Sequence, residues 1–114
     1  MNAYIRPGLI RDVEQAVSLV YELPVERIKA RTRKREVVEA RQISMWWRER
    51  NTRDTLSRIG ELLGGYDHAT VLHAVKTVNN LIDTDKHFKH RVMRISNIMS
   101  ELPENRVSYR PKKR

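Results

Sequence analysis

Cysteine is absent from this 114-residue chain, and with it go disulfides, thiolate metal sites and thiol nucleophiles. Glycine and proline number four each, too few for a collagen-like or low-complexity chain. No apolar run approaches the roughly 18 residues of a spanning helix. The first eleven residues lack the apolar stretch of a signal peptide. No segment alternates with period two for long enough to suggest a strand. What remains is one packed domain suited to a reducing compartment, read as cytoplasmic. Its size lets a hydrophobic core hold the fold without a disulfide or a metal.

Negative charge is also scarce. Lys and Arg total 23 against 14 Asp and Glu, a formal net charge of +9. The excess is concentrated in two places. Residues 27–35 hold six basic side chains (Arg27, Lys29, Arg31, Arg33, Lys34, Arg35) and no acid, and residues 103–114 hold five against Glu104. The rest of the chain is close to neutral. A near-neutral body with two basic patches is the footprint of a polyanion-binding surface. A solvated, solubilising charge run and attraction to an anionic membrane surface are the competing explanations.

Hydrophobic spacing is helical nearly throughout. Leu9, Val13, Ala16, Val17 and Val20 predict a helix over about 9–21. After Pro24, Val25 and Ile28 suggest a turn or two of helix. A longer helix is expected from about 35 to 50, with one of Trp46 and Trp47 in the core and the other partly exposed, since adjacent helical positions diverge by about 100°. Asp54 or Thr55 can cap a short helix carrying Leu56, Ile59, Leu62 and Leu63, which Gly64-Gly65 stops. Asp67 is the expected N-cap of the next helix, with Val71, Leu72, Val75, Val78 and Leu81 or Ile82 on its apolar side. Thr84 or Asp85 can cap a last helix, striped by Phe88, Val92, Ile95, Met99 and Leu102. The fold class expected is all-α, a single compact domain of five to six helices over 10–102. A lead of 1–9 precedes it, and a basic, disordered tail of 103–114 follows.

The short helix, the Gly-Gly turn and the following helix form a helix-turn-helix candidate. Ile59, Leu62 and Leu63 would brace the second helix through Val71 and Val75. Asp67, His68, Ala69 and Thr70 in its first turn are short or polar, are not needed for the core, and can reach base edges. An ordinary helical hairpin with a capping first turn has the same spacing. Arg31, Arg33, Lys34 and Arg35 can flank the groove such a helix enters. One of them can occupy the adjacent minor groove, where Arg is electrostatically favoured. Arg41 and Gln42 interrupt an apolar stretch and are expected to point outward toward a phosphate.

Other constellations carry less. His87 and His90, with Asp83 one turn earlier, lack a third certain ligand and give no metal site. His68 and His73, five apart, do not share a face, and His73 is expected to pack behind the second helix. Asp83 and Asp85 sit at a helix junction as caps, and the serines have no nucleophile motif around them. No catalytic role and no cofactor follow from the sequence.

The stretches RKREVVEARQISMWW (33–47) and LSRIGELLGGYDHATVLHAV (56–75) resemble the C-terminal DNA-binding domain of the bacterial replication initiator DnaA. The basic loop, the Ala-Arg-Gln of the long helix, the Ile-Gly of the bracing helix and the Gly-Gly-x-Asp-His-x-Thr-Val-x-His-Ala signature carry the resemblance. The wider similarity covers roughly 10–101. It implies sequence-specific binding of double-stranded DNA at DnaA-box-like sites. By that resemblance Arg33 enters the minor groove, while Arg41 and Gln42 grip the backbone. Asp67, His68 and Thr70 read the major groove, and Ala69 offers a methyl to thymine. Tyr66 replaces the usual Arg of the signature and keeps a hydroxyl donor for phosphate. Ala69 replaces a hydroxyl residue, and Glu49 lies where a basic residue is often found. With Arg31, Lys34 and Arg35 these residues make up the expected interface.

The family's ATPase module carries a Gly-x-x-x-x-Gly-Lys-Ser/Thr phosphate loop, and the chain has no such motif; Gly60 to Gly65 lacks the Lys and the hydroxyl. The expectation is a stand-alone DNA-binding regulator of replication initiation or transcription, monomeric on DNA and located at the nucleoid. The alternative is an interaction module that binds the initiator or another replication protein and contacts DNA weakly.

Overall fold

The computed structural model describes residues 10–102, so the 1–9 lead and the 103–114 tail lie outside the described residues. Six helices and no strand occur among them, in agreement with the all-α expectation. The first, α1 (Val13–Tyr21), starts later than its apolar spacing predicts because Asp12 intervenes as a cap. Asp12 Oδ1 accepts from the Gln15 amide at 3.1 Å, and Gln15 Oε1 accepts from the Asp12 amide at 3.3 Å, a reciprocal capping box. Ile10, upstream of the cap, is still buried. Pro24 precedes the single turn of α2 (Val25–Ile28), which inserts Ile28 into the core.

The long helix α3 (Arg35–Asn51) is central, packed by α1, α2, α4 and α5. That position corrects the expectation for the tryptophans. Trp46 and Trp47 are 8% and 5% exposed, both inside, because neighbours cover α3 on more than one side. Trp46 Nε1 donates to Asn79 Oδ1 at 2.9 Å, joining α3 to α5. Two residues further along α3, Arg48 meets Glu14 of α1 through two bonds of 2.6 and 2.7 Å and Asp54 at 3.2 Å. Glu14 is buried, so this ion pair sits inside the α1–α3 seam. The bonds it donates to Glu14 hold the Arg48 guanidinium above its ordinary range, against the opposing effect of burial.

Three further helices complete the domain. Thr55 caps α4 (Leu56–Leu62), its hydroxyl accepting from the Arg58 amide at 3.1 Å. Asp67 caps α5 (His68–Thr84). Asp85 alone separates α5 from α6 (Lys86–Ser100) and caps the latter through the Phe88 amide at 3.1 Å. Phe88, Val92, Ile95 and Met99 form the buried stripe of α6 as expected, with Leu102 partly buried beyond the helix. On α5 the buried side is Val71, Ala74, Val75 and Val78. Leu72 is not part of it. It stands 42% exposed, since one residue of helix turns it away from Val71.

Candidate nucleic-acid interface

The turn between α4 and α5 is built on one carbonyl. Gly60 O accepts from the amides of Gly65 and Tyr66, both at 2.9 Å, which folds the chain back over the end of α4. A Cβ at Gly60 would lie 1.8 Å from Tyr66 O, so the approach is open only to glycine. Gly64 and Gly65 follow with φ of 121° and 83°, the left-handed side that a Cβ disfavours. The chain then enters α5 through Asp67, whose Oδ1 accepts from the Thr70 amide at 2.9 Å. That bond is the largest cause holding the Asp67 carboxyl below its usual value. Asp67 is therefore engaged as a helix cap, while His68, Ala69 and Thr70 stand exposed in the first turn.

The basic loop docks against this turn. Arg31 Nη1 donates to Gly64 O and Gly65 O, each at 3.1 Å. Its guanidinium carbon lies 4.4 Å from the centroid of the Tyr66 ring. Lys29 O approaches Gly64 so closely that a Cβ there would be 2.6 Å away. Charge and hairpin, separated in sequence, are thus neighbours in space. Arg33 and Lys34 are exposed on the loop, and Arg31, Thr32, Arg33, Arg41 and Tyr66 line a cleft of about 310 Å³.

Several side chains differ from their expected attitudes. Arg41 does not point outward: it is 8% exposed, donates from Nη1 to Ala30 O at 2.9 Å, and lies 4.9 Å from the Tyr66 centroid. Its alkyl stem is covered by the packing of α3, and its head braces the basic loop from behind. Gln42 is half-buried. Arg35 is exposed, but its Nε pairs with Glu39 Oε2 at 3.2 Å. Glu39 also accepts from the Tyr21 hydroxyl at 3.0 Å and from Arg91 at 3.1 Å, a network that ties α1, α3 and α6. His73 is not packed behind α5 but exposed, 3.5 Å from the Thr77 hydroxyl.

The outer face of α5 adds Lys76 and Asn80, which had no expected role, and Leu72 and His73, which were expected inside. With Ala69 they are all exposed. Their spacing puts them on one stripe opposite the buried valines. The same three-and-four periodicity that sends Val71 and Val75 inward would have placed Leu72 and Lys76 outside. Among the described residues, no three His, Cys, Asp or Glu side chains gather as a metal ion requires, and no helix is long and apolar enough to cross a membrane.

A short bracing helix, a glycine turn and an exposed second helix, with a basic loop docked on the turn, define a helix-turn-helix DNA-binding domain. The family described as the bacterial DnaA protein helix-turn-helix matches residues 10–78. The chromosomal replication initiator protein DnaA of Flavobacterium psychrophilum is 47% identical over 88 residues, covering 77% of this chain and 18% of its own length. That of Porphyromonas gingivalis is 38% identical over 91 residues, covering 80% and 19%. That of Bacteroides thetaiotaomicron is 40% identical over 92 residues, covering 81% and 20%. The chain belongs to the bacterial DnaA helix-turn-helix family. It spans about a fifth of the length of these curated relatives.

Proposed function

We propose that the chain binds double-stranded DNA sequence-specifically at DnaA-box-like sites, reading both grooves, and regulates replication initiation or transcription without nucleotide hydrolysis of its own. The observation that supports this reading best is the docking of residues 29–31 on the Gly64-Gly65 turn, which makes the strongest basic run a neighbour of the first turn of α5. In this reading α5 enters the major groove. His68, Thr70 and Ala69 face base edges, Asp67 holds the helix end that presents them, and Leu72 offers an apolar contact to a thymine methyl. Arg33 reaches the minor groove from the loop. Lys34, Gln42, Lys76 and an Arg35 released from Glu39 meet phosphates, which supplies most of the affinity and its salt dependence. The same reading puts the chain at the nucleoid, in the cytoplasm, as a monomer on each site.

The 114 residues contain no phosphate-loop motif, so initiator-like assembly on DNA would depend on another chain or on sequence outside these residues. Fluorescence anisotropy with a duplex carrying a DnaA-box-like 9-mer and with a shuffled duplex tests the proposal. Specific binding should exceed shuffled binding by at least about a thousandfold at near-physiological salt. Equal binding to both would sink it and favour the interaction-module alternative, in which the partner is the initiator or another replication protein.

A further inference from the structure

We propose that Tyr66 is a positioning residue: its ring, gripped by Arg31 and Arg41, fixes the basic loop relative to α5, and Tyr66 contributes to DNA discrimination through that placement and not through a phosphate contact of its hydroxyl. The DNA half of this inference rests on the reading above; the docking half stands on contacts within the free protein.

Six contacts converge on the junction. Arg31 bonds both glycine carbonyls of the turn, and its guanidinium carbon lies 4.4 Å from the Tyr66 centroid. Arg41 lies 4.9 Å from the same centroid and bonds Ala30 O at 2.9 Å, so it touches the turn and the loop together. The close approach of Lys29 O to Gly64 is the sixth. Without this junction the loop is anchored only at its ends, by the buried Ile28 and by the start of α3 at Arg35. A protein that reads two grooves at once needs the separation of its two readers fixed beforehand, because slack between them costs ordering entropy on binding.

The chemistry of the ring fits the task. A phenol ring attracts guanidinium groups at its face through its quadrupole. The Arg usual at this position of the signature would instead bring a third cation beside two others. Arg31 and Arg41 each have a nitrogen occupied by a backbone carbonyl, and Arg41 is buried, so neither is arranged to meet phosphate first. The exchange of Arg for Tyr therefore trades a surface charge for a junction inside the protein.

The test uses the full chain with Tyr66→Phe, Tyr66→Leu, Arg33→Ala and the Tyr66→Leu/Arg33→Ala double variant. Without DNA, NMR should show ring-current-shifted Arg31 and Arg41 side chains in the native protein and in Tyr66→Phe, and unshifted ones in Tyr66→Leu. Amide exchange of residues 29–34 should accelerate about tenfold in Tyr66→Leu, as expected when a local closing contact is lost. With DNA, Tyr66→Leu should lose about tenfold in the ratio of specific to random binding, the scale of one cation–π contact, with an unchanged salt slope. Tyr66→Phe should stay within about twofold of the native protein. Arg33→Ala should cost less in the Tyr66→Leu background than alone.

A loss in Tyr66→Phe equal to that in Tyr66→Leu, with the salt slope reduced by about one, would make the hydroxyl a phosphate contact and overturn the inference. Unchanged loop exchange in Tyr66→Leu, or additive losses with Arg33→Ala, would overturn it equally. A native protein without preference for any duplex would sink the DNA reading and the DNA half of this one, while the exchange and ring-current measurements would still decide the docking half.

Discussion

Arg31 Nη1 holds the carbonyl of Gly64 at 3.1 Å, and through that bond the basic loop and the helix-turn-helix become one surface. The turn can accept the bond because its glycines leave room for the loop's backbone, which is why the sequence spacing around Gly60 and Gly64 bears on DNA binding as well as on folding.

The glycines should rank by what their Cβ would meet. Gly60→Ala sets a methyl against the backbone of Tyr66, which cannot swing aside, and should cost about 3 kcal/mol or more. At Gly65 the added Cβ finds only Arg31 Nη1 at 3.9 Å, so Gly65→Ala bears mainly the penalty of its positive φ, about 1–2 kcal/mol. Chemical denaturation of the two variants gives the order.

Breaking the Glu14–Arg48 pair should be severe. Glu14→Ala leaves the Arg48 guanidinium in the α1–α3 seam, 15% exposed, with the Asp54 carboxylate still 3.2 Å away. A loss of about 3–5 kcal/mol is expected. Glu14→Gln keeps an acceptor and should lose less. Denaturant midpoints with an unchanged m-value are the readout.

Acid should loosen the helix starts. The Asp67 and Asp85 carboxyls lie below their ordinary 3.8 because the amides of Thr70 and Phe88 bond them. A carboxyl depressed in the folded state contributes stability above its unfolded value, and that contribution is lost as pH falls from 3.8 through the depressed value. Melting temperature should therefore drop below pH 3.8 more steeply in the native protein than in Asp67→Asn/Asp85→Asn, whose amide caps do not titrate. Parallel curves would remove these caps as the cause.

Base readers and phosphate contacts should separate by salt. His68→Ala and Arg33→Ala are each expected to lose about 1–3 kcal/mol on the specific site and little on random duplex. Lys34→Ala should weaken both alike and reduce the salt slope by about one. Leu72→Ala should lower specific affinity without lowering the melting temperature, because the side chain is already exposed. A melting loss in Leu72→Ala would return that residue to the core.

Most of the fold was legible because periodicity and caps agree along the chain. Thr55, Asp67 and Asp85 all cap helices where the sequence suggested they could. The readings that failed depend on what packs around a residue. Trp46 and Trp47 are both buried because α3 is enclosed, and the enclosure of a helix is not written in its own spacing. Arg41 reads as an interruption in an apolar run, yet its carbonyl partner at Ala30 belongs to a loop folded back over it. Leu72 and His73 differ from these, since a count of 100° per residue from Val71 already puts both outside. At the candidate site the motif supplied the residues, and the structure supplied the junction of Arg31, Arg41 and Tyr66.

Selection from a pool of random duplexes at near-physiological salt, with sequencing of the bound fraction, tests the central claim most directly. The account expects one asymmetric, DnaA-box-like 9-mer to be enriched, with positions attributable to His68 and Thr70 on one side and to Arg33 on the other. A pool that emerges without any enriched sequence would contradict it.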